Sequence, residues 1–450
     1  MSWWRRLWEP TLPFSPARFP LFYGWVIVAV ATIGIVFSIP GQTMGFSVFT
    51  DILMEQLGLT RVQLSAAYCI GTVLSGFTLP IMGTAFDRLG ARRMACFAAL
   101  STGVVLIYLS QVRRLLDMLT NWFSFVPRVV LALAVIMLGF YLIRAAAQGV
   151  LTMASRNAIG KWFDYHRGTA LALSGVVTAF SFSIAPRFLD ELIRRFGWSG
   201  AWQVMGVATI AIMATTGWLF FRDNPEECGL QMDGGSKVTK RKVNADSVIH
   251  RDYTRKEALG TLAFWVFNLT FAFTSLNSTA FTFHIVSIGS ESGLARAEVL
   301  SFFVPMSVIS VVVNLLSGWS SSRTRLKIHL CLMNVAALLG VIGTIYLDGT
   351  PGRIAFIIGN GLCWGFFASL TGIVWPRFFG RNWLGAISGV GMSSMVIASG
   401  IGPLIFSLSL KWTESYAPIL WALAFIPASL LVASWWADNP QRQSGPSVNA

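Results

Sequence analysis

Arg144 is a cation set inside an apolar run, YLIRAAAQGVL, with Gln148 four residues further on. On a helix that spacing puts the guanidinium and the amide on one face. A charge in an apolar interior needs a partner, and two chemistries fit. One is a charge-assisted bond to an anion that arrives from outside. The other is a set of bonds to backbone carbonyls freed where a neighbouring helix breaks, and Ser38-Ile39-Pro40-Gly41 offers such a break. Further polar groups stand at comparable depth in other apolar runs: Gln42, Thr274 and Asn277, with Trp364 as a candidate cavity wall. Histidine is the side chain whose ordinary pKa lies in the physiological range, so His284 is the candidate for proton coupling, with a hydrogen-bonded packing role as its alternative. All 20 Asp and Glu fall in turns, tails or helix ends.

These side chains need long helices to hold them. The 450 residues are 54% hydrophobic and 12% charged, and the apolar runs reach the roughly 20 residues that cross a hydrocarbon core of about 30 Å. An all-α membrane protein is expected, with twelve transmembrane helices in two six-helix halves. The predicted spans are 22–48, 62–85, 94–112, 128–156, 167–190, 200–221, 261–288, 298–318, 327–347, 353–376, 383–409 and 416–436. The halves are residues 22–221 and 261–436. Between them lies a polar central loop, 222–260, and outside them tails 1–21 and 437–450.

The net charge of +14 does not point to nucleic acid, because the basic residues sit in short turns between apolar runs. Twenty-three of the 34 Lys and Arg, Arg156 among them, fall on the side of the two tails and nine on the other. That bias predicts cytosolic termini in a plasma membrane. The five cysteines show no paired or metal-like spacing. No metal, cofactor or nucleic-acid partner is expected, and neither is an enzyme: the four histidines are scattered and there is no phosphate-binding loop. The expected partners are a small anion and the lipid bilayer, around a monomer.

The halves echo each other. Gly83 opens GTAFDRLGARR after the second predicted span, and Gly318 opens GWSSSRTR at the matching place in the second half. Gly168 precedes Pro186 by the same interval as Gly385 precedes Pro403. A duplicated six-helix unit of this kind places a path between its halves.

Gly83, Asp87, Arg88, Gly90, Arg92 and Arg93 resemble the loop motif of the major facilitator superfamily in its expected place. The resemblance implies transport by alternating access. It also implies that Asp87 contacts the start of the later helix carrying Gly385 and Gly389, holding the cytosolic end closed. Ser322 stands where the second half would carry the matching acid. FYGW (22–25), KWFDYHRGTA (161–170), FGWSGAW (196–202), DNPEECGL (223–230) and EALGTLAFW (257–265) are similar to the monocarboxylate and oxalate/formate branch. That implies a secondary or exchange transporter for a small mono- or dicarboxylate. The alternatives are an exporter of larger amphipathic compounds and a transport-inactive sensor on the same fold.

Overall fold

The computed structural model describes residues 8–235 and 249–443. Arg5, Arg6, Lys237, Lys240, Arg241 and Lys242 of the charge count, with parts of both tails and of the central loop, lie outside the described residues. Among the described residues the protein is helical, with no strand. In lipid this is forced, since a spanning segment must satisfy its own backbone hydrogen bonds.

The long helices are α1 (Gly24–Phe37), α2 (Arg61–Ser110), α3 (Arg128–Trp162), α4 (Arg167–Phe220), α5 (Leu262–Glu291), α6 (Phe303–Ser320), α7 (Leu326–Ile345), α8 (Thr350–Phe379), α9 (Leu384–Thr413) and α10 (Ala417–Ser434). Among the described residues, 8 helices are long and apolar enough to cross a membrane. The helix α1 is shorter, at 14 residues. The helix α5 has the length, at 30 residues, but Asn268, Thr270, Thr274, Ser275, Asn277 and Ser278 lower its hydropathy. Both α2 and α4 are broken by a glycine in a conformation that L residues avoid: Gly90 at φ 84°, ψ 168° and Gly197 at φ 70°, ψ 168°. The expected twelve spans require that each of these two cross twice and that α1 and α5 cross as well.

Three local features differ from the sequence reading. The first span does not run unbroken to 48, because Pro40 supplies no amide hydrogen and the chain passes through a 3₁₀ turn, Ile39–Gly41, into a short helix, Thr43–Ser47. Only glycine fits at 41: a Cβ there would stand 2.7 Å from the Ile143 carbonyl oxygen. The fourth span continues to Trp162 and contains a π segment, Arg144–Leu151. Arg187, at the outer end of the fifth predicted span, has Asp190 and Glu191 within a helical turn as expected partners, but these pair with Arg194 and Arg195, one turn further on.

The two sets of helices meet along α2 against α9 and α4 against α6. Small residues let the backbones touch there. Gly83 packs on Gly385, and Gly168 on Gly318. The end of the bundle that carries these contacts also holds both tails. Arg92 and Arg222, each almost fully buried, bind the N-terminal strap: Arg92 donates to Glu9 O and Leu12 O, and Arg222 to Pro10 O, Leu12 O and Phe14 O. Gln441 is equally buried and bonds Arg251 O and Phe378 O.

Candidate functional site

A cavity of about 680 Å³ lies between the two sets of helices, and Thr50 and Asp51 line it on the side away from the tails. Its walls come from seven of the long helices, α1 to α5, α8 and α9, and from the broken turn and short helices after α1. The helix α3 contributes Gln148, Thr152 and Arg156; α5 contributes a ladder of hydroxyls, Thr274, Ser275, Ser278, Thr279 and Thr282. The helices α8 and α9 add Trp364, Phe367, Met392, Met395 and Ser399. Phe182 of α4 and Gln42 complete the walls that matter for chemistry.

The π segment sets which face of α3 meets the cavity. In a regular α-helix Arg156 would sit about a third of a turn away from Arg144. A π segment bonds i to i+5 and turns less per residue, so Arg144, Gln148, Thr152 and Arg156, each four apart, come nearly into line. The sequence reading assigns Arg156 to the tail-side surface. The structure corrects this: Arg156 is half-buried, lines the cavity and donates to Thr371 Oγ1 at 2.7 Å. Its signal in the sequence was the four-residue spacing, which regular helical geometry discards.

Arg144 is 2% exposed and is not among the lining residues. Its Nη1 donates to Gly41 O at 3.1 Å and its Nη2 to Ser399 Oγ at 3.2 Å, while the guanidinium lies 5.2 Å from the Tyr68 ring centroid. It therefore bonds the broken turn after α1 and ties α3 to α9. Arg144 Nε and Gln148 Oε1 have no hydrogen-bond partner.

Of the other candidates, Gln42, Thr274, Gln148 and Trp364 share the cavity. Asn277 is buried and His284 half-buried, and neither lines it. His284 Nε2 lies 3.1 Å from Pro403 O and Nδ1 lies 3.1 Å from the Tyr416 hydroxyl, near the outer end of α5. Trp364, Phe281 and Phe303 form a three-ring cluster: the Trp364 ring lies near-parallel to Phe281, at 5.5 Å and 14°, and to Phe303, at 6.4 Å and 24°, and the two phenylalanines are 6.1 Å apart.

The cavity is shut on the tail side. Asp87 Oδ1 accepts from Gly385 N at 2.6 Å and Oδ2 from Ala386 N at 2.7 Å, on the first turn of α9. A carboxylate suits the positive end of the helix. A Cβ at Gly389 would lie 2.8 Å from Leu79 O and 3.2 Å from Gly83 Cα. Asn157 Nδ2 donates to Ser388 Oγ at 2.7 Å, and Arg381 Nη1 to Lys161 O at 2.9 Å. Arg88 and Arg93 are exposed, whereas Arg92 is 3% exposed and its amide donates to Asp223 Oδ1 at 2.9 Å. Gly90 turns the chain directly against that Asp223 carboxylate.

The second half lacks an acid at Ser322, and the connecting chain instead holds the turn just before α4. Asp233, from the central segment, accepts from Asp164 N at 3.1 Å, Tyr165 N at 2.8 Å and His166 N at 3.2 Å. Asp252, from the other end of that segment, accepts from Arg381 N at 2.6 Å and Asn382 N at 3.1 Å. The offset that carries Gly168 onto Gly385 carries Asp164 onto Arg381 and Tyr165 onto Asn382. Equivalent turns in the two halves are thus held by two carboxylates of the connecting chain.

A family model described as Major Facilitator Superfamily matches residues 26–403. No curated protein matches the sequence. Among solved structures, the proton:xylose symporter XylE bound to 6-bromo-6-deoxy-D-glucose superposes with TM-score 0.64 at 14% identity, covering 94% of this chain and 98% of that one. The transporter FucP in the outward conformation gives 0.61 at 13%, covering 92% and 99%. The human organic anion transporter MFSD10 gives 0.59 at 12%, covering 91% and 98%. At such identities the likeness speaks for the fold alone, and the cargo named for these proteins differs from one to the next. The family match spans most of the chain, so this protein belongs to the Major Facilitator Superfamily and is a multi-pass membrane transporter, not an enzyme.

Proposed function

We propose that the protein moves an organic anion, of the mono- or dicarboxylate class, by alternating access as a secondary or exchange transporter. The observation that carries this reading is Arg156, a guanidinium facing a cavity between the halves. Asp51 is the one carboxylate among the described lining residues, and it sits at the mouth, exposed to solvent. A cation in a cleft between the halves attracts an anion and supplies the paired hydrogen bonds that a carboxylate accepts. The sequence likeness to the monocarboxylate and oxalate/formate branch supports the same class.

In this reading the structure is the outward-facing state, with the tails on the cytosolic side of the plasma membrane and the monomer as the working unit. Asp87 on the first turn of α9 forms the closed gate. Arg144, committed to Gly41 and Ser399, braces the broken turn and couples the halves.

The test is uptake of radiolabelled mono- and dicarboxylates into proteoliposomes by wild type, Arg156→Gln and Arg144→Ala at matched insertion. An acid that accumulates with wild type and fails with Arg156→Gln upholds the reading. Movement of a neutral or cationic compound, with no acid moved, overturns it.

A further inference from the structure

Resting on the organic-anion reading, we infer that the substrate is a single-headed anion with a bulky apolar body, an aryl or branched carboxylate, seated with its carboxylate at Arg156 and its body against α8 and α9. Two- to four-carbon acids and dicarboxylates are poor fits to the same cavity.

Charge is the first reason. Among the described lining residues Arg156 is the one cation. Arg144 lies behind the wall with both Nη groups already bonded to Gly41 O and Ser399 Oγ. A second carboxylate on the substrate would lose its water and gain no cationic partner, which is costly.

Shape is the second. The cavity, at about 680 Å³, falls among those that enclose most of a drug-sized ligand, roughly 300–1,000 Å³, and a very small acid would leave it largely filled with water. Much of the lining is apolar, including Trp364 and Phe367 of α8, Met392 and Met395 of α9, and Phe182 of α4. The aromatic part of the lining is held in place, since Trp364 packs in a cluster with Phe281 and Phe303 and Phe367 meets Phe271 edge-on at 5.9 Å. The two methionines are flexible and polarizable, and suit a body of variable outline. Rigid aromatic walls sharing one cavity with a single guanidinium make a site for an amphipathic monoanion.

The experiment is equilibrium binding to the purified full-length protein, because protonated aryl acids cross bilayers unaided and blur flux measurements. The probes are acetate, succinate, benzoate, 2-naphthoate and the uncharged 2-naphthamide. Affinity is expected to rise from acetate through benzoate to 2-naphthoate by at least tenfold, with succinate no tighter than acetate and 2-naphthamide failing to compete. Arg156→Gln should weaken 2-naphthoate by at least tenfold, while Arg156→Lys keeps most of the affinity and shows that the fold survives. Phe367→Ala should weaken 2-naphthoate and leave acetate unchanged. Succinate binding tighter than 2-naphthoate would overturn this inference and leave the organic-anion reading standing. Should 2-naphthamide compete as well as 2-naphthoate, or should no acid bind at all, both fail.

Discussion

Gly168 lies with its backbone directly against the carbonyl of Gly318, and a methyl group added to either would meet the other's main chain. Gly83 and Gly385 repeat the relationship on the other side of the bundle. Both contacts sit at the tail-side end, where the halves are closed. Gly168→Val and Gly83→Val should each force the halves apart there, at about 1–3 kcal/mol for an overpacked contact. The outcome expected is slower transport and faster maleimide labelling of a cysteine introduced at Asn157, on the closed side. Unchanged labelling would mean that these glycines serve packing within one state only.

The connecting segment should contribute to the same closure. Asp233 and Asp252 hold equivalent turns before α4 and α9, each through charge-assisted bonds to main-chain amides. Asp252 is exposed and Asp233 only partly buried, so Asp233→Asn and Asp252→Asn should each weaken the closed end by about 1 kcal/mol. The double variant should show the larger loss. The same Asn157→Cys labelling reads the shift; full retention of protection in the double variant would show that the gate stands on Asp87 alone.

Much of this architecture is legible in the residues. The apolar runs dictate helices, and the glycine echoes at 83, 318, 168 and 385 identify residues that meet in the structure. The motif acid at 87 reaches the first turn of α9. What the residues hide depends on non-local or irregular geometry. Arg156 turns inward only because the π segment resets the phase of α3, and no propensity argument reveals such a segment. Arg144 faces Gly41 and Ser399, partners 103 and 255 residues away, which helical periodicity cannot name. Asp233 holds the turn before α4 from a loop with no periodic signal at all.

The N-terminal strap is expected to stabilise the fold rather than the transport cycle. Arg222 is 1% exposed and donates to five main-chain carbonyls, those of Pro10, Leu12, Phe14, Leu219 and Phe221. Arg222→Met would leave those acceptors unpaired, at about 1–3 kcal/mol for each one that water does not reach. A lower melting temperature with substrate affinity unchanged is the expected result. Cys228, 5% exposed beside Arg222, reports on the strap, since burial pushes its thiol up to about 11. In a protein with Cys228 as its one cysteine, labelling should keep rising about tenfold per pH unit through pH 10, because thiolate forms only as the pH nears that raised value. A plateau near pH 9 would show an ordinary, solvated thiol and a strap that does not seal the site.

Arg156 and Arg144 lie on one stripe of α3, yet their substitutions should fail differently. Arg156 faces the cavity and shares one hydroxyl, Thr371 Oγ1, so Arg156→Gln removes binding made to the bound anion. Its expected mark is a KM raised at least tenfold, with Arg156→Lys restoring much of the affinity through charge alone. Arg144 touches no open space; it bonds a main-chain carbonyl at the break after α1 and a hydroxyl of α9. Its planar fork serves two acceptors in different directions, which a single ammonium does not reproduce. Arg144→Lys should therefore lower the maximal rate severalfold with KM little changed, because the bracing of the broken turn and the link between the halves are lost while the binding cation remains. A rise in KM in Arg144→Lys equal to that in Arg156→Gln would instead make Arg144 a direct substrate contact in another state of the cycle, with its unpaired Nε as the group that receives the anion.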